Sequence, residues 1–182
     1  MLFSHDTEIA LVDAAALVNT LSAEDDRLTT LPELTAWLDA HRYRTTQWPA
    51  PDDLESVRAL RARLRTIWTV RDRDEAAGIV NDLLASSNAQ PCLSRHHGWD
   101  WHLHVTQPGA PLAARLGAEA AMGFLDLVRS DDLARLRLCA AQDCSDVLVD
   151  LSRNKSKRFC DTGNCGNRVH VAAYRARKRA TR

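Results

Sequence analysis

The sequence lacks the features of an exported or membrane-embedded chain. Its first residues, Met1 to Asp6, contain no basic segment followed by an apolar core, which a secretion signal would need. The longest early apolar run, Ala14 to Val18, is far shorter than the ~20 residues that cross a bilayer. We therefore expect neither secretion nor membrane insertion, and we expect a cytoplasmic protein.

Catalytic motifs are also missing. The sequence has no Ser-His-Asp spacing, no glycine-rich phosphate loop and no paired-carboxylate motif, so we expect no enzyme. The alternative is a small-molecule enzyme in the N-terminal part, for which only the segment around His96 and His97 offers candidates. His102 and His104 project from one face of a predicted strand there and could bind a metal or exchange protons. A polar, solvated strand face is the simpler interpretation.

A net charge is absent as well, but the balance of 24 basic and 24 acidic residues hides a segregation. Residues 153–182 contain ten basic residues and one acidic residue, so this segment carries +9 and the first 152 residues carry −9. A basic segment of this kind attracts polyanions. The distribution predicts a polyanionic partner for the C-terminal part.

The hydrophobic pattern predicts a mostly α fold. With 182 residues, of which 45% are hydrophobic, the chain suffices for one domain with a small appendage. Thr30 and Glu33 form a capping-box pattern for a helix that ends at about Ala40. At residues 99–106 apolar and polar residues alternate with a period of two, which predicts a strand that forms a β-hairpin with residues 91–95. We therefore predict an α+β, mostly α fold, with a helical N-terminal domain at 1–130 and a small four-cysteine domain at 131–182.

Local sequence patterns lead to three further predictions. Asp74 is predicted to cap a helix that contains Ile79 and Leu83. The arginines from Arg58 to Arg73 are mixed with acidic residues and are predicted to form a solvated helix face. Cys92 has no thiol near it in sequence and is predicted to be a small buried residue, with a redox sensor as the alternative.

The four remaining cysteines predict a metal site. They form two pairs with four intervening residues each, and fifteen residues separate the pairs: Cys139, Cys144, Cys160 and Cys165. Two such turns can bring four thiolates to one tetrahedral Zn²⁺. Four buried thiols, two disulfides or an iron–sulfur cluster are the alternatives. Since all four ligands are cysteines, no coordination position remains for a substrate, and the zinc ion is predicted to be structural.

A basic helix is predicted to follow the last cysteine. Asn167 is a plausible N-cap, and good helix formers follow it. At helical spacing an apolar stripe is predicted to dock on the zinc site, and three arginines lie beside the stripe. The stripe consists of Val169, Ala172, Ala173 and Ala176, and the arginines are Arg168, Arg175 and Arg179.

The tetrad Cys165-Gly166-Asn167-Arg168 resembles the signature of the CGNR zinc-finger proteins of bacteria. Its surroundings resemble that family too, in the segments 137–139, 157–160 and 174–177. The N-terminal part is similar to the ABATE domain that precedes this finger, in Leu17-Val18-Asn19-Thr20 and in the helix that contains Trp37. The resemblance implies a stress-related transcription regulator with a DNA-binding zinc module.

These observations lead to a functional hypothesis with two alternatives. We expect a bacterial DNA-binding regulator in which Lys155, Lys157 and Arg158 contact phosphates, while Arg168, Arg175 and Arg179 face a groove. The N-terminal domain would sense a small molecule or partner, or form a homodimer. In the alternatives, the finger binds an acidic protein partner, or it is a structural appendage of a small-molecule-binding domain.

Overall fold

A computed structural model of the chain describes residues 3–22, 25–43, 49–95 and 101–180. These residues form six α-helices, a short 3₁₀-helix at Leu133–Arg135 and two antiparallel hairpins. The helices are α1 His5–Val18, α2 Leu31–Ala40, α3 Pro51–Thr66, α4 Arg73–Ser86, α5 Leu112–Arg129 and α6 Cys165–Ala180. The strands are β1 Cys92–Ser94, β2 His102–His104, β3 Leu136–Leu138 and β4 Val147–Val149. The fold is therefore α+β and mostly α, as predicted.

The helix starts follow from local hydrogen bonds. At α2 the capping box is confirmed, because Glu33 N–H donates to Thr30 Oγ1 at 3.4 Å and Thr30 N–H donates to Glu33 Oε2 at 2.9 Å. The predicted cap of α4 was wrong by two residues. Asp72 accepts from Glu75 N–H at 2.9 Å, which leaves Asp74 inside the first turn, where an acidic residue favours the helix dipole.

Helix α5 forms the centre of the core and packs against α1, α3 and α4. Its Phe124 meets Trp68 edge to face at 5.3 Å between ring centroids, and both side chains are fully buried. Gly123 allows α1 to approach closely, since a Cβ at this position would lie 3.0 Å from Leu11 Cγ. None of the helices in the described ranges is both long and apolar enough to cross a membrane.

The hairpin of β1 and β2 is confirmed, but the face that carries His102 and His104 is not the more solvated one. Cys92 pairs with His104, and Ser94 pairs with His102. Trp101 and Leu103 are 62% and 39% exposed, whereas the two histidines are only partly exposed. The prediction for Cys92 was wrong, because its side chain is exposed. The hairpin contributes little to the core, so alternation did not identify a buried face.

The hairpin of β3 and β4 is part of the main core. Val147 and Val149 of β4 are buried in the same cluster as Leu11 and Phe124. Asn19, at the end of α1, binds Val147 through both sides of its amide, with Nδ2 donating to the carbonyl at 2.9 Å and Oδ1 accepting from N–H at 2.8 Å. Trp68 Nε1 donates to the Leu148 carbonyl at 3.0 Å. The division of the chain at residue 131 stays a prediction.

Candidate metal centre and basic helix

The four predicted ligands converge at the junction of β3, β4 and α6. Cys139 directly follows β3, Cys144 lies in the connection to β4, and Cys165 is the first residue of α6. With Cys160 from the preceding loop, the four Sγ atoms all lie within 4.8 Å of one another. The two cysteine pairs therefore meet as the spacing predicts.

The distances between sulfur atoms fit a single zinc ion. A tetrahedral site with Zn–S bonds of ~2.3 Å has sulfur atoms ~3.8 Å apart. Cys144 Sγ lies 3.8 Å from Cys160 Sγ, which lies 3.6 Å from Cys165 Sγ. A disulfide would need ~2.05 Å, and all four thiols are free. Cys139, Cys144, Cys160 and Cys165 thus form the site of one structural Zn²⁺, which would fix the geometry of the finger.

Hydrogen bonds support the sulfur atoms. Cys160 N–H donates to Cys139 Sγ at 3.5 Å, and Arg168 Nη2 donates to Cys165 Sγ at 3.2 Å. The other arm of the Arg168 guanidinium binds Asp143 Oδ2 at 2.6 Å. Four thiolates around one Zn²⁺ carry net negative charge, so Arg168 offsets that charge and joins α6 to the turn that contains Cys144.

The thiols differ in their tendency to ionise before metal binds. Burial raises the pKa of Cys144 to about 12 and also raises the pKa of Cys160 above its ordinary value. Burial opposes ionisation of Cys165 as well, but the hydrogen bonds from Arg168 and from the neighbouring thiols hold its pKa below the ordinary value. Zinc binding therefore has to displace the protons of Cys144 and Cys160.

The start of α6 explains part of the CGNR tetrad. Asn164 adopts a left-handed conformation, with φ of 52°, and the helix begins at Cys165. The prediction that Asn167 caps the helix was therefore wrong, since it lies within the first turn. Gly166 packs against the ring of Phe159, where a Cβ would lie 3.3 Å from Cδ2. A side chain at Gly166 would therefore require the Phe159 ring to shift by a few tenths of an ångström.

Beyond its first two residues, helix α6 is exposed and buries no apolar face on the metal site. Cys165 is its one buried residue, and residues 167–180 are all exposed. The prediction that an apolar stripe docks on the zinc site was wrong. Val169, Val171 and Tyr174 are 37%, 38% and 59% exposed. The helix carries five cations and no acidic residue between 166 and 180.

Three of the six cations predicted to contact DNA form ion pairs. Lys155 Nζ lies 2.5 Å from Asp132 Oδ1, Lys157 Nζ lies 2.6 Å from Asp161 Oδ2, and Arg168 binds Asp143 as above.

The other three cations are exposed. Arg158 stacks against Phe159, with 5.8 Å from Cζ to the ring centroid. Arg175 and Arg179 lie on α6, and no carboxylate in the described ranges pairs with them. Contact of any of the six with DNA stays a prediction.

Sequence reasoning missed the residues that hold the finger in place. Asp143 precedes Cys144 but gave no signal of pairing with an arginine 25 residues away. Asn19 lies in the segment that resembles the ABATE domain, yet its bond to β4 could not be read from it. Arg65 Nη2 also donates to the Ser145 carbonyl at 2.6 Å, beside the first cysteine pair.

Among the described residues, His102 and His104 of the β1–β2 hairpin belong to no group of three or more potential metal ligands. His102 Nε2 and His104 Nε2 lie 3.1 Å apart. His96 and His97 lie outside the described residues. Within the described ranges, the cysteine cluster is the one group of three or more metal-binding side chains.

Two family models match the chain. The ABATE model, described as a putative stress-induced transcription regulator, matches residues 14–131. The CGNR zinc finger model matches residues 135–178, which include all four cysteines. A comparison with curated proteins finds no match.

Proposed function

Because the chain belongs to the ABATE family and carries a CGNR zinc finger after that domain, we propose that it is a DNA-binding transcription regulator with a structural zinc ion. In this proposal the metal fixes the start of α6, and the basic residues of α6 contact DNA. The N-terminal part responds to a small molecule or forms a dimer. The protein acts in the cytoplasm and has no catalytic activity of its own.

The exposed, cationic helix α6 is the observation that carries this proposal. Its 16 residues span about 24 Å at ~1.5 Å per residue, which suits a helix lying in the major groove. A second copy of the same helix is a poor partner for it, because its five cations would repel their counterparts. A phosphate backbone offers the opposite charge.

Individual cations should contribute unequally. Arg175 and Arg179 are four residues apart on one helix face, and they can meet DNA without giving up a carboxylate. The other three cations must exchange a carboxylate for phosphate, which reduces their net contribution to the free energy of DNA binding. These pairs are Lys155 with Asp132, Lys157 with Asp161 and Arg168 with Asp143.

Titration of duplex DNA with the zinc-loaded full chain at several salt concentrations tests the proposal. If about six cations bind phosphates, log K should fall against log salt with a slope of about −5. The double variant Arg175→Gln, Arg179→Gln should lower the affinity and make the slope about 2 less steep. The matched control is Arg63→Gln, Arg129→Gln, which removes the same charge from exposed positions outside the finger. Binding that ignores salt, or that both double variants weaken equally, would refute the proposal.

An acidic protein is the second candidate partner. The exposed Val169, Val171 and Tyr174 on α6 favour it, because apolar side chains contribute more at a protein interface than at phosphates. A gel-shift assay against random duplex, run beside a sizing experiment, separates the two candidates. Self-association without a shift would favour the protein interface.

A further inference from the structure

A groove of about 410 Å³ lies where the finger meets the helical part. One wall comes from α1, α2 and the residues that follow these helices, and it includes Thr20, Trp37 and His41. Arg27 lines it from the loop between these helices, and Thr162 lines it from the finger. The volume falls within the range of small-molecule sites, which is roughly 300 to 1,000 Å³.

The groove offers an aromatic surface. Trp37 stacks on His41 at 4.3 Å and on Tyr43 at 5.7 Å between ring centroids. Within the described ranges, the buried indole Nε1–H of Trp37 has no hydrogen-bond partner. His41 Nδ1 lies 2.6 Å from Asp13 Oδ1, which fixes the imidazole ring beside the indole.

The charges in the groove favour an anion. Arg27 is exposed, and its Nη2 donates to the Asn19 carbonyl, while no carboxylate of the described residues pairs with it. Glu33 also lines the groove, but its Oε2 already accepts hydrogen bonds from Thr29 N–H, Thr29 Oγ1 and Thr30 N–H. These bonds hold the pKa of Glu33 below its ordinary value and direct the carboxylate to the start of α2. The guanidinium of Arg27 is thus the charge that a ligand can use.

We infer that this groove binds a small planar organic acid, an aromatic carboxylate, with its ring against Trp37 and its carboxylate on Arg27. An aromatic ring uses the exposed ring surface, and a carboxylate matches the fork of a guanidinium.

The groove connects a ligand to the metal site. Thr162 lies between the zinc ligands Cys160 and Cys165, and it accepts from Asn19 Nδ2 at 3.4 Å. Asn19 in turn holds Val147 of β4 and accepts from Arg27 through its carbonyl. A ligand on Arg27 and Thr162 therefore touches both parts of the chain and biases the placement of the finger. The effect on DNA rests on the proposed function, whereas binding of the ligand does not.

Isothermal titration calorimetry on the zinc-loaded full chain tests the inference, with indole-3-carboxylate as the probe and indole-3-carboxamide as its neutral match. We expect saturable one-to-one binding of the acid, with the amide at least about tenfold weaker, because a charge-assisted hydrogen bond is lost. Arg27→Gln should weaken binding of the acid by a similar factor, and Trp37→Leu should weaken the binding of both probes. Arg63→Gln, an exposed arginine away from the groove, should leave binding unchanged.

Absence of saturable binding, equal binding of acid and amide, or full binding by Arg27→Gln would each overturn the inference. If Arg27→Gln does not fold, as judged by its melting curve and zinc content, the comparison of acid and amide on the unaltered chain decides alone. The calorimetry contains no DNA, so its failure is distinct from a failure of the salt titration.

Discussion

Arg168 illustrates how one residue can have a role that its charge does not reveal. Its position in a basic helix suggested contact with DNA, but its guanidinium lies between Cys165 Sγ and Asp143. The contact with sulfur ties the cation to a zinc ligand, and partners of this kind affect metal affinity.

Arg168→Met should lower zinc affinity by about tenfold or more, because the thiolates lose a hydrogen bond and a compensating charge. Arg168→Lys should have a zinc affinity between those of the wild type and of Arg168→Met, since an ammonium group keeps the charge but cannot reproduce the planar fork. Competition with a chromophoric chelator measures the affinity, and the absorption bands of the cobalt-substituted protein report the sulfur environment. Arg175→Met, on the same helix without a contact to sulfur, is the control. Equal affinities for all four proteins would show that Arg168 does not support the site.

Asp26 and Arg61 form a second residue-scale feature that local pattern did not identify. Arg61 belongs to the run predicted to be solvated, but it is only 5% exposed. Its Nη1 and Nη2 bind Asp26 Oδ1 and Oδ2 at 2.7 and 2.9 Å. The partners lie 35 residues apart, which is why helical spacing around Arg61 could not show the pairing.

This pair should make stability depend on pH. The hydrogen bond from Arg61 lowers the pKa of Asp26 from 3.8 to about 2. Because this pKa is lower in the folded state, the ionised Asp26 stabilises the fold above pH ~4. This contribution is lost as the pH falls towards about 2. Asp26→Asn should therefore cost at least about 2 kcal/mol at pH 7, and the difference from wild type should shrink below pH 4. Urea unfolding across this range measures it, with the exposed Asp25→Asn as control. A difference that stays constant down to pH 3 would contradict the assignment.

At the scale of elements, α6 depends on its anchor. Isolated helices of this length are marginal in water, and residues 167–180 are all exposed. The zinc ligand Cys165 and the contact of Gly166 with Phe159 hold the first turn. We therefore expect the end of α6 to be helical only in part without DNA.

Ala172→Pro tests α6 as an element. Proline in a helix interior costs ~3 kcal/mol, and here no buried contact opposes the break. We expect zinc content and the melting temperature to stay unchanged, helix content by circular dichroism to fall, and DNA affinity to drop steeply. Ala172→Gln introduces a side chain of good helix propensity and should preserve both helix and affinity. Unchanged DNA binding by Ala172→Pro would mean that the helical form of α6 is not what DNA recognises.

The elements also show how far the sequence could predict the structure. Thr30 and Glu33 defined the start of α2 because a capping box is a local interaction, and the cysteine spacing predicted the metal site because two short turns fix four sulfurs. The stripe on α6 was different. Periodicity shows which residues share a face, but small residues such as Ala172 bury little area, and nothing in the spacing supplies a partner surface.

At the scale of the whole molecule, the metal site and the core are mechanically connected. β4 follows the first cysteine pair by two residues and contributes Val147 and Val149 to the main core. Asn19 and Trp68 hydrogen-bond to its backbone from α1 and from the end of α3. The hairpin therefore cannot loosen without leaving buried polar groups unpaired, which is costly.

Removal of zinc should accordingly destabilise the whole chain and not the finger alone. Because thiols released from zinc no longer hold the connection between β3 and β4, the free energy of metal binding should appear in the unfolding of the helical part. Differential scanning calorimetry of the zinc-loaded and chelator-treated protein under reducing conditions should show one transition that shifts to lower temperature and returns when zinc is restored. Hydrogen exchange should become faster at the end of α1 near Asn19 as well as in the finger. A helical part that melts at the same temperature with and without zinc, while the finger alone loses protection, would show that the finger and the core are energetically independent despite their contacts.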